Sequence, residues 1–240
     1  MNSKEIALQA RAISKQLDTP EGKLEILSPV SFSLHAGDSL AITGPSGVGK
    51  STLLSILAGL DVASAGEVLL HEHQLGKLDE EGRSRIRAEY VGFVFQSFQL
   101  LPSLTALENI MLPLEMKGHK SAKDLARNFI TRVGLAQRQQ HYPRQLSGGE
   151  QQRIAIARAF ACQPRLLFAD EPTGNLDSLT AEKITRLLFD LNRESGISLV
   201  LVTHEKHLAA LCQQQLTLAA APDSHSILDI THAGHQIIAA

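Results

Sequence analysis

Residues 44–51 read GPSGVGKS, a G-x-x-x-x-G-K-S spacing between the apolar run Leu40-Ala41-Ile42-Thr43 and a helical pattern of Leu53, Leu54, Leu57 and Leu60. Glycines let such a loop curl until its backbone N–H groups converge on phosphate oxygens. The dipole of a helix beginning near Gly49 favours the same anion. Lys50 can carry positive charge to the β- and γ-phosphates, and the Ser51 hydroxyl can ligate Mg2+. The stretch therefore reads as a nucleotide site. It does not by itself name the reaction, since kinases and GTPases share this cradle. The guanine-reading pattern N-K-x-D is absent from the sequence, which weighs against a GTPase.

A second group of candidates closes apolar strands. The segment RLLFADEPTGNLD, residues 165–177, ends such a strand with Asp170 and Glu171. In the phosphate-loop plan an acid at the end of a neighbouring strand holds Mg2+ through its water shell, a role that suits Asp170. Glu171, one residue further, can polarise a water in line with the γ-phosphate. Two adjacent carboxylates closing an apolar strand are costly without a cation, which favours this over a pair of solvated loop acids. His204 closes SLVLVTH and Gln96 closes VGFVFQ. A strand-terminal histidine or amide is ordinarily structural; alternatively, His204 hydrogen-bonds a γ-phosphate or holds the attacking water. Both sit at the C-terminal ends of strands, the edge where open α/β sheets bind ligands, which points to a common site.

A third candidate lies in HYPRQLSGGEQQRIAIARAF, residues 141–160. Ser147 with Glu150 is a capping box ahead of a helical apolar pattern. Gly148 and Gly149 sit inside that cap, where any helix former would serve. Glycines there let something large approach the backbone, and a helix N-terminus is an anion site. The residues of this stretch do not themselves name the anion's owner.

These residues must be positioned by alternating strands and helices, which makes the class α/β. RLLFAD and ISLVLVTH are short apolar strands of the kind buried on both faces of a parallel sheet. The stretch from LTALENIMLPLEM to ARAFACQ is mostly helical, with expected breaks at Pro113, Gly134 and Pro143. This helical middle predicts a helical subdomain inserted at about residues 97–162 of a single 240-residue domain. The last segment, from Gln213, carries a weaker signal open to strand, helix or tail. Composition is that of an ordinary soluble protein, 43% hydrophobic with a net charge of −2, and so exerts no general pull toward nucleic acid. Cys162 and Cys212 lie far apart in no CxxC spacing, which fits a reducing interior. The N-terminal stretch is too polar for a signal peptide, and no window approaches the roughly 20 apolar residues of a membrane span. The pairs His71/His73 and His232/His235 read as solvated loop residues and are assigned no metal.

The motifs in this order resemble the ATP-binding cassette (ABC) ATPases over nearly the whole chain, with LSGGEQQR matching that family's signature. The resemblance implies a RecA-like phosphate-loop NTPase core carrying an antiparallel β subdomain and the inserted helical one. It implies ATP held by Gly44, Pro45, Ser46, Gly47, Val48, Gly49, Lys50, Ser51 and Thr52, with Mg2+ on Ser51, Gln96 and Asp170. Lys50, Gln96, the catalytic Glu171 and the switch His204 would carry the chemistry, and Asn175-Leu176-Asp177 would form the D-loop. Two such domains face head to tail in this family, so Ser147, Gly148, Gly149 and Asp177 would meet nucleotide held across the pair. The second anion thus belongs to a partner, a second copy or a sister subunit.

VGFVFQSFQLLPSLTALENIMLPL and FADEPTGNLD narrow the likeness to the ATPases of lipoprotein release, MacB-type efflux and the FtsE division system, nearest to the bacterial YbbA type. Such proteins sit on the cytoplasmic face of the inner membrane, bound to permeases. The stretch with Phe98, Leu100, Leu101 and Leu104 would receive the permease's coupling helix, or else is plain core packing. Many family members stack adenine on an aromatic ahead of the phosphate loop; here that stretch offers none, and Leu17 is the residue in its place. Two other classes are weighed. Soluble cassettes acting on DNA or ribosomes usually carry coiled-coil insertions or two cassettes, and this chain shows neither. A regulatory ATP-gated binding module is opposed by the presence of Glu171 and His204.

Overall fold

The computed structural model describes residues 5–20, 22–219, 227–232 and 235–238. The chain opens with a long hairpin, β1 (Ile6–Thr19) and β2 (Gly22–His35), followed by β3 (Ser39–Thr43), α1 (Lys50–Leu57), β4 (Ala65–Leu70) and β5 (His73–Gln74). Next come α2 (Glu80–Tyr90), β6 (Val91–Phe95), α3 (Ala106–Met116), α4 (Ala122–Arg132) and α5 (Gly148–Ala161). The remainder is β7 (Leu166–Asp170), α6 (Ser178–Ser195), β8 (Ser198–Val202), α7 (Lys206–Ala209), β9 (Gln214–Ala219), β10 (Ile227–His232) and β11 (His235–Ile238).

The strands form two sheets. One is antiparallel, in the order β2-β1-β4-β5; the other runs β11-β10-β9-β3-β8-β7-β6, parallel from β9 to β6 and closed by antiparallel β10 and β11. The parallel strands lack polar alternation because both faces are covered. Along β8, Leu199 and Leu201 join a core built with α3 to α6, while Val200 and Val202 join a second core with α1 and the β1–β2 hairpin. β7 divides the same way, with Leu167 and Ala169 on the first side and Leu166 and Phe168 on the second.

The helical segment has no core of its own. Ile110 and Leu114 of α3, Ala126 and Ile130 of α4, and Ile154 and Ala157 of α5 belong to the same cluster as Leu199 and Leu201. Capping boxes, Thr105 with Glu108 and Ser147 with Glu150, start α3 and α5. Movement of α5 is therefore felt directly beneath the sheet.

The expected break at Pro113 does not occur, since this proline lies inside α3. An interior proline costs about 3 kcal/mol, and fully buried Ile110 and Leu114 on either side hold the helix through it. Breaks at Gly134 and Pro143 are present, between α4 and α5. Leu60 falls outside the leucine stripe it was read into. α1 ends before it, with the Leu60 N–H closing onto the Ser55 carbonyl at 2.8 Å, and its side chain is exposed. The open-ended last segment forms β9, β10 and β11 where it is described; the rest of it lies outside the described residues. His71 and His73 are not the solvated loop residues expected: the His71 side chain is buried and meets Glu5 at 3.1 Å, and His73 lies in β5, half-buried, meeting the Tyr90 hydroxyl at 3.4 Å. His232 and His235 face each other in backbone register across β10 and β11.

Candidate nucleotide site

Because β3 is buried on both faces, the chain leaves it only at the strand's end, and residues 44–49 turn there before α1 begins. The loop is seated tightly on neighbouring backbone. A Cβ on Gly44 would lie 2.3 Å from the Leu218 carbonyl oxygen, and one on Gly49 2.6 Å from that of Ile26. Both residues also have positive φ, 142° and 96°. Glycine at these two positions is thus required by the seating on β9 and β2 as well as by the curl. The start of α1 has no side-chain cap and no acid in its first turn, so its N–H groups face outward uncompensated. The Lys50 ammonium lies over this loop, donating to the Gly44 and Pro45 carbonyls at 2.9 and 2.8 Å. Cation, open amides and helix end converge on one place, which fits a polyphosphate.

Asp170 closes β7 beside this loop, near the Ser51 side chain. Burial raises the Asp170 carboxyl above its ordinary range and the adjacent Glu171 charge pushes it further, while the Ser51 hydroxyl and the Lys50 charge pull the other way. A hydroxyl and a partly buried carboxylate beside the phosphate loop are hard oxygen donors of the kind Mg2+ takes. Among the described residues no group of three or more His, Cys, Asp or Glu side chains gathers to hold a metal.

Glu171 has φ 45°, a left-handed conformation that is strained for a non-glycine residue. It is held there by its N–H on the Val202 carbonyl at 2.9 Å and its own carbonyl accepting from Gly174 at 3.0 Å. The strain aims the side chain at the end of β8, where Glu171 Oε2 meets His204 Nδ1 at 2.7 Å. Glu171 is 15% exposed and His204 66%, so the pair has one dry and one wet member.

Gln96 follows β6, and its amide is directed to the 173–177 segment. Nε2 donates to Asn175 Oδ1 at 3.3 Å, and Asn175 Nδ2 donates back to the Gln96 carbonyl at 3.0 Å. The structure thus brings Lys50, Ser51 and Asp170 together and Glu171 onto His204, and gives Gln96 to the loop carrying Asp177. Asp177 caps α6, accepting from the Thr180 N–H at 3.0 Å, and the Thr180 side chain first and this backbone bond second lower its carboxyl.

The LSGGEQQR turn lies elsewhere. Ser147 Oγ accepts from the Glu150 N–H at 3.3 Å while Glu150 Oε2 accepts from the Ser147 N–H at 2.8 Å, which lowers the Glu150 carboxyl. Its two glycines have different causes. A Cβ on Gly149 would lie 2.4 Å from Thr180 Cγ2 of α6, so that glycine is needed inside this chain. A Cβ on Gly148 would meet only Leu176 and Phe98, at ordinary contact distances of 3.5 and 3.6 Å.

Several contributors escaped the sequence reading. Buried Gln152 donates from Nε2 to the Pro172 carbonyl at 2.6 Å, next to Glu171. Thr173 Oγ1 donates to Glu205 at 2.6 Å, next to His204. Arg158 donates to the carbonyls of Phe98 and Gln99 at 2.9 and 2.6 Å, and both those residues have positive φ. The available signal for Gln152 was its place on the apolar stripe of α5, four and seven residues ahead of Ile156 and Ala159.

A curled loop over an uncapped helix end, with a buried acid pair on the adjacent strand, is what a phosphate-loop nucleoside triphosphatase requires. The chain belongs to the ABC transporter family, whose sequence pattern it matches over residues 27–174, and it is an ATP-binding ATPase. It is 51% identical over 213 residues to the ABC transporter ATP-binding protein YbbA of Escherichia coli K12, covering 88% of this chain and 93% of that one. It is 46% identical over 212 residues to the lipoprotein-releasing system ATP-binding protein LolD of Bordetella pertussis, covering 88% and 92%. The dimeric structure of MJ0796, a bacterial ABC transporter cassette, superposes with a TM-score of 0.81 at 39% identity over 88% of this chain and 94% of that one. The RecA-like ABC fold with its antiparallel and helical additions is therefore that of this chain, within the group containing LolD and YbbA.

Proposed function

We propose that two copies of this chain pair head to tail around two ATP molecules and drive a separate permease at the cytoplasmic face of a bacterial inner membrane. The observation that carries this is the separation inside one chain of its two anion-seeking elements. The 44–51 loop sits on β2 and β9, whereas the Ser147–Gly149 turn packs on Phe98, Leu176 and Thr180. The dimeric cassette of MJ0796 supports such pairing, and the LolD and YbbA likeness supports a transporter partner. Among the described residues no helix is long and apolar enough to cross a membrane, so the permease would supply the span.

Within the pair, the amides of residues 44–52 and Lys50 cradle the β- and γ-phosphates. Ser51 and Asp170 would hold Mg2+, which would supply charge neutralisation at the phosphates, and Gln96 would join them once its bond to Asn175 is released. Glu171 polarises the attacking water and His204 fixes it against the γ-phosphate. Ser147, Gly148, Gly149 and Asp177 of the opposite copy close the site, so ATP favours the closed pair and its hydrolysis removes the shared phosphate. Leu17 takes the base: Leu17 and Leu24 are cross-strand partners, both half-exposed, on the β1–β2 hairpin whose Ile26 carbonyl seats Gly49. The segment with Phe98, Leu100, Leu101 and Leu104, braced by Arg158, receives the permease.

The test is a tagged Glu171→Gln protein drawn with ATP from gently solubilised membranes, with co-purifying chains identified by mass spectrometry. Recovery of a membrane-spanning permease supports the reading; recovery of only soluble chains, ribosomes or DNA overturns the membrane part of it.

A further inference from the structure

Gln152 is fully buried in α5, five residues beyond Ser147. Its Nε2 donates to the Pro172 carbonyl at 2.6 Å, while its Oε1 is buried with no hydrogen-bond partner among the described residues. A buried acceptor left unpaired is a net burden on folding, and an apolar side chain of the same volume would remove it. The use of an amide here lies in its donor, which satisfies the buried Pro172 carbonyl and ties it to α5. That donor grips the residue immediately after Glu171, and proline offers no N–H of its own, so its carbonyl is the one backbone hydrogen-bonding handle it has.

The other side of the same loop is also tethered. Thr173 Oγ1 donates to Glu205 Oε1 at 2.6 Å, and the Glu205 N–H bonds the Thr203 hydroxyl at 3.0 Å, which fixes the segment around His204. Glu171 is thus held at φ 45° between a tether to α5 and a tether to the end of β8. α5 is a single uninterrupted helix from Gly148 to Ala161. A helix moves as a rigid body, so displacement of its capped N-terminus displaces Gln152 and with it the Pro172 carbonyl.

We infer that Gln152 is a positioning residue that relays the state of the Ser147–Gly149 turn to Glu171 of the same chain. This rests on the paired-site reading above. ATP in the partner's loop, felt at Ser147, then sets the aim of the base that acts on this chain's own ATP. The two sites of a pair are coupled through one hydrogen bond in each copy. Gln152 makes no contact with the reacting atoms.

Gln152→Met removes the donor and the orphaned acceptor together. In the full-length protein, kcat for ATP should fall about tenfold or more while KM stays within about twofold. Relief of the orphaned acceptor is offset by the Pro172 carbonyl losing its donor, so the melting temperature should shift by no more than a few degrees, and Gln152→Met combined with Glu171→Gln should pair on ATP as Glu171→Gln alone does. Gln152→Glu supplies a rescue, because a protonated carboxyl can donate to the Pro172 carbonyl. Its kcat relative to the original protein should be closer to one at about pH 6 than at about pH 8, or near one throughout if burial keeps it protonated. Wild-type kcat in Gln152→Met, or a kcat loss matched by a lost melting temperature, would overturn the relay; so would Gln152→Glu inactive at every pH. Should Glu171→Gln itself fail to pair on ATP, the paired-site reading fails first and the relay falls with it.

Discussion

His204 Nδ1 stands 2.7 Å from Glu171 Oε2, joining the ends of β8 and β7 through two side chains that lie far apart in sequence. The contact holds the mostly buried carboxylate against a histidine ring that is itself largely exposed. Replacing Glu171 with Gln keeps the shape and removes the base. Steady-state phosphate release should fall by about 10²-fold or more, and size-exclusion chromatography with ATP should show a persistent dimer. His204→Ala should slow release by about tenfold or more with nucleotide binding retained. Turnover at the original rate in the Glu171→Gln protein would remove Glu171 from the mechanism.

Asp170 makes stability depend on pH in a direction opposite to most carboxylates. Its raised carboxyl means the folded state holds that proton more tightly than the unfolded chain, whose value is near 3.8. Its contribution is fully present below the unfolded value and is lost as pH rises through the higher folded one. Ionised Asp170 therefore burdens the nucleotide-free protein at neutral pH. Asp170→Asn should raise the melting temperature by a few degrees at about pH 7 and leave it unchanged at about pH 3. Calorimetry across that range checks the sign; a less stable variant at neutral pH would contradict it. Mg2+ with nucleotide should stabilise the original protein more than the variant.

The Gly149–Thr180 contact has a clean genetic test. Gly149→Ala places a methyl 2.4 Å from Thr180 Cγ2, so α5 and α6 must part at a cost of about 1–3 kcal/mol. Thr180→Ser deletes that Cγ2 and should recover most of the loss in the double variant. Urea unfolding of the four proteins in the cycle gives the coupling energy. If Gly149→Ala is stable but inactive, the glycine serves the partner's nucleotide more than this packing.

Base recognition can be read through Leu17. Leu17→Tyr restores a stacking surface and should tighten ATP binding by up to about tenfold. Leu24→Ser, across the strand pair, should weaken it and narrow the difference between ATP and other nucleoside triphosphates. Fluorescence titration with ATP, GTP and CTP measures both, and affinities unmoved in either variant would place the base elsewhere.

Much of this protein was legible in its residues because the relevant physics is local. The 44–51 spacing, the polar ends of apolar strands and the Ser147–Glu150 cap are each written within a few neighbouring positions, and each appears as read. Pro113 misled because a helix-breaking preference of about 3 kcal/mol is a local quantity, overruled by burial of Ile110 and Leu114 against strands distant in sequence. The spacing reads Gly148 and Gly149 as room for an approaching anion; only the packing of α6 on α5 reveals that Gly149 makes room for Thr180. The tertiary structure alone decided that Gln96 turns to Asn175, that His204 reaches Glu171, and that Gln152 grips Pro172. A spacing rule records which residue types stand near one another along the chain. Hydrogen bonds between segments 20 to 79 residues apart depend instead on how the sheet orders its strands and on which helix covers each face.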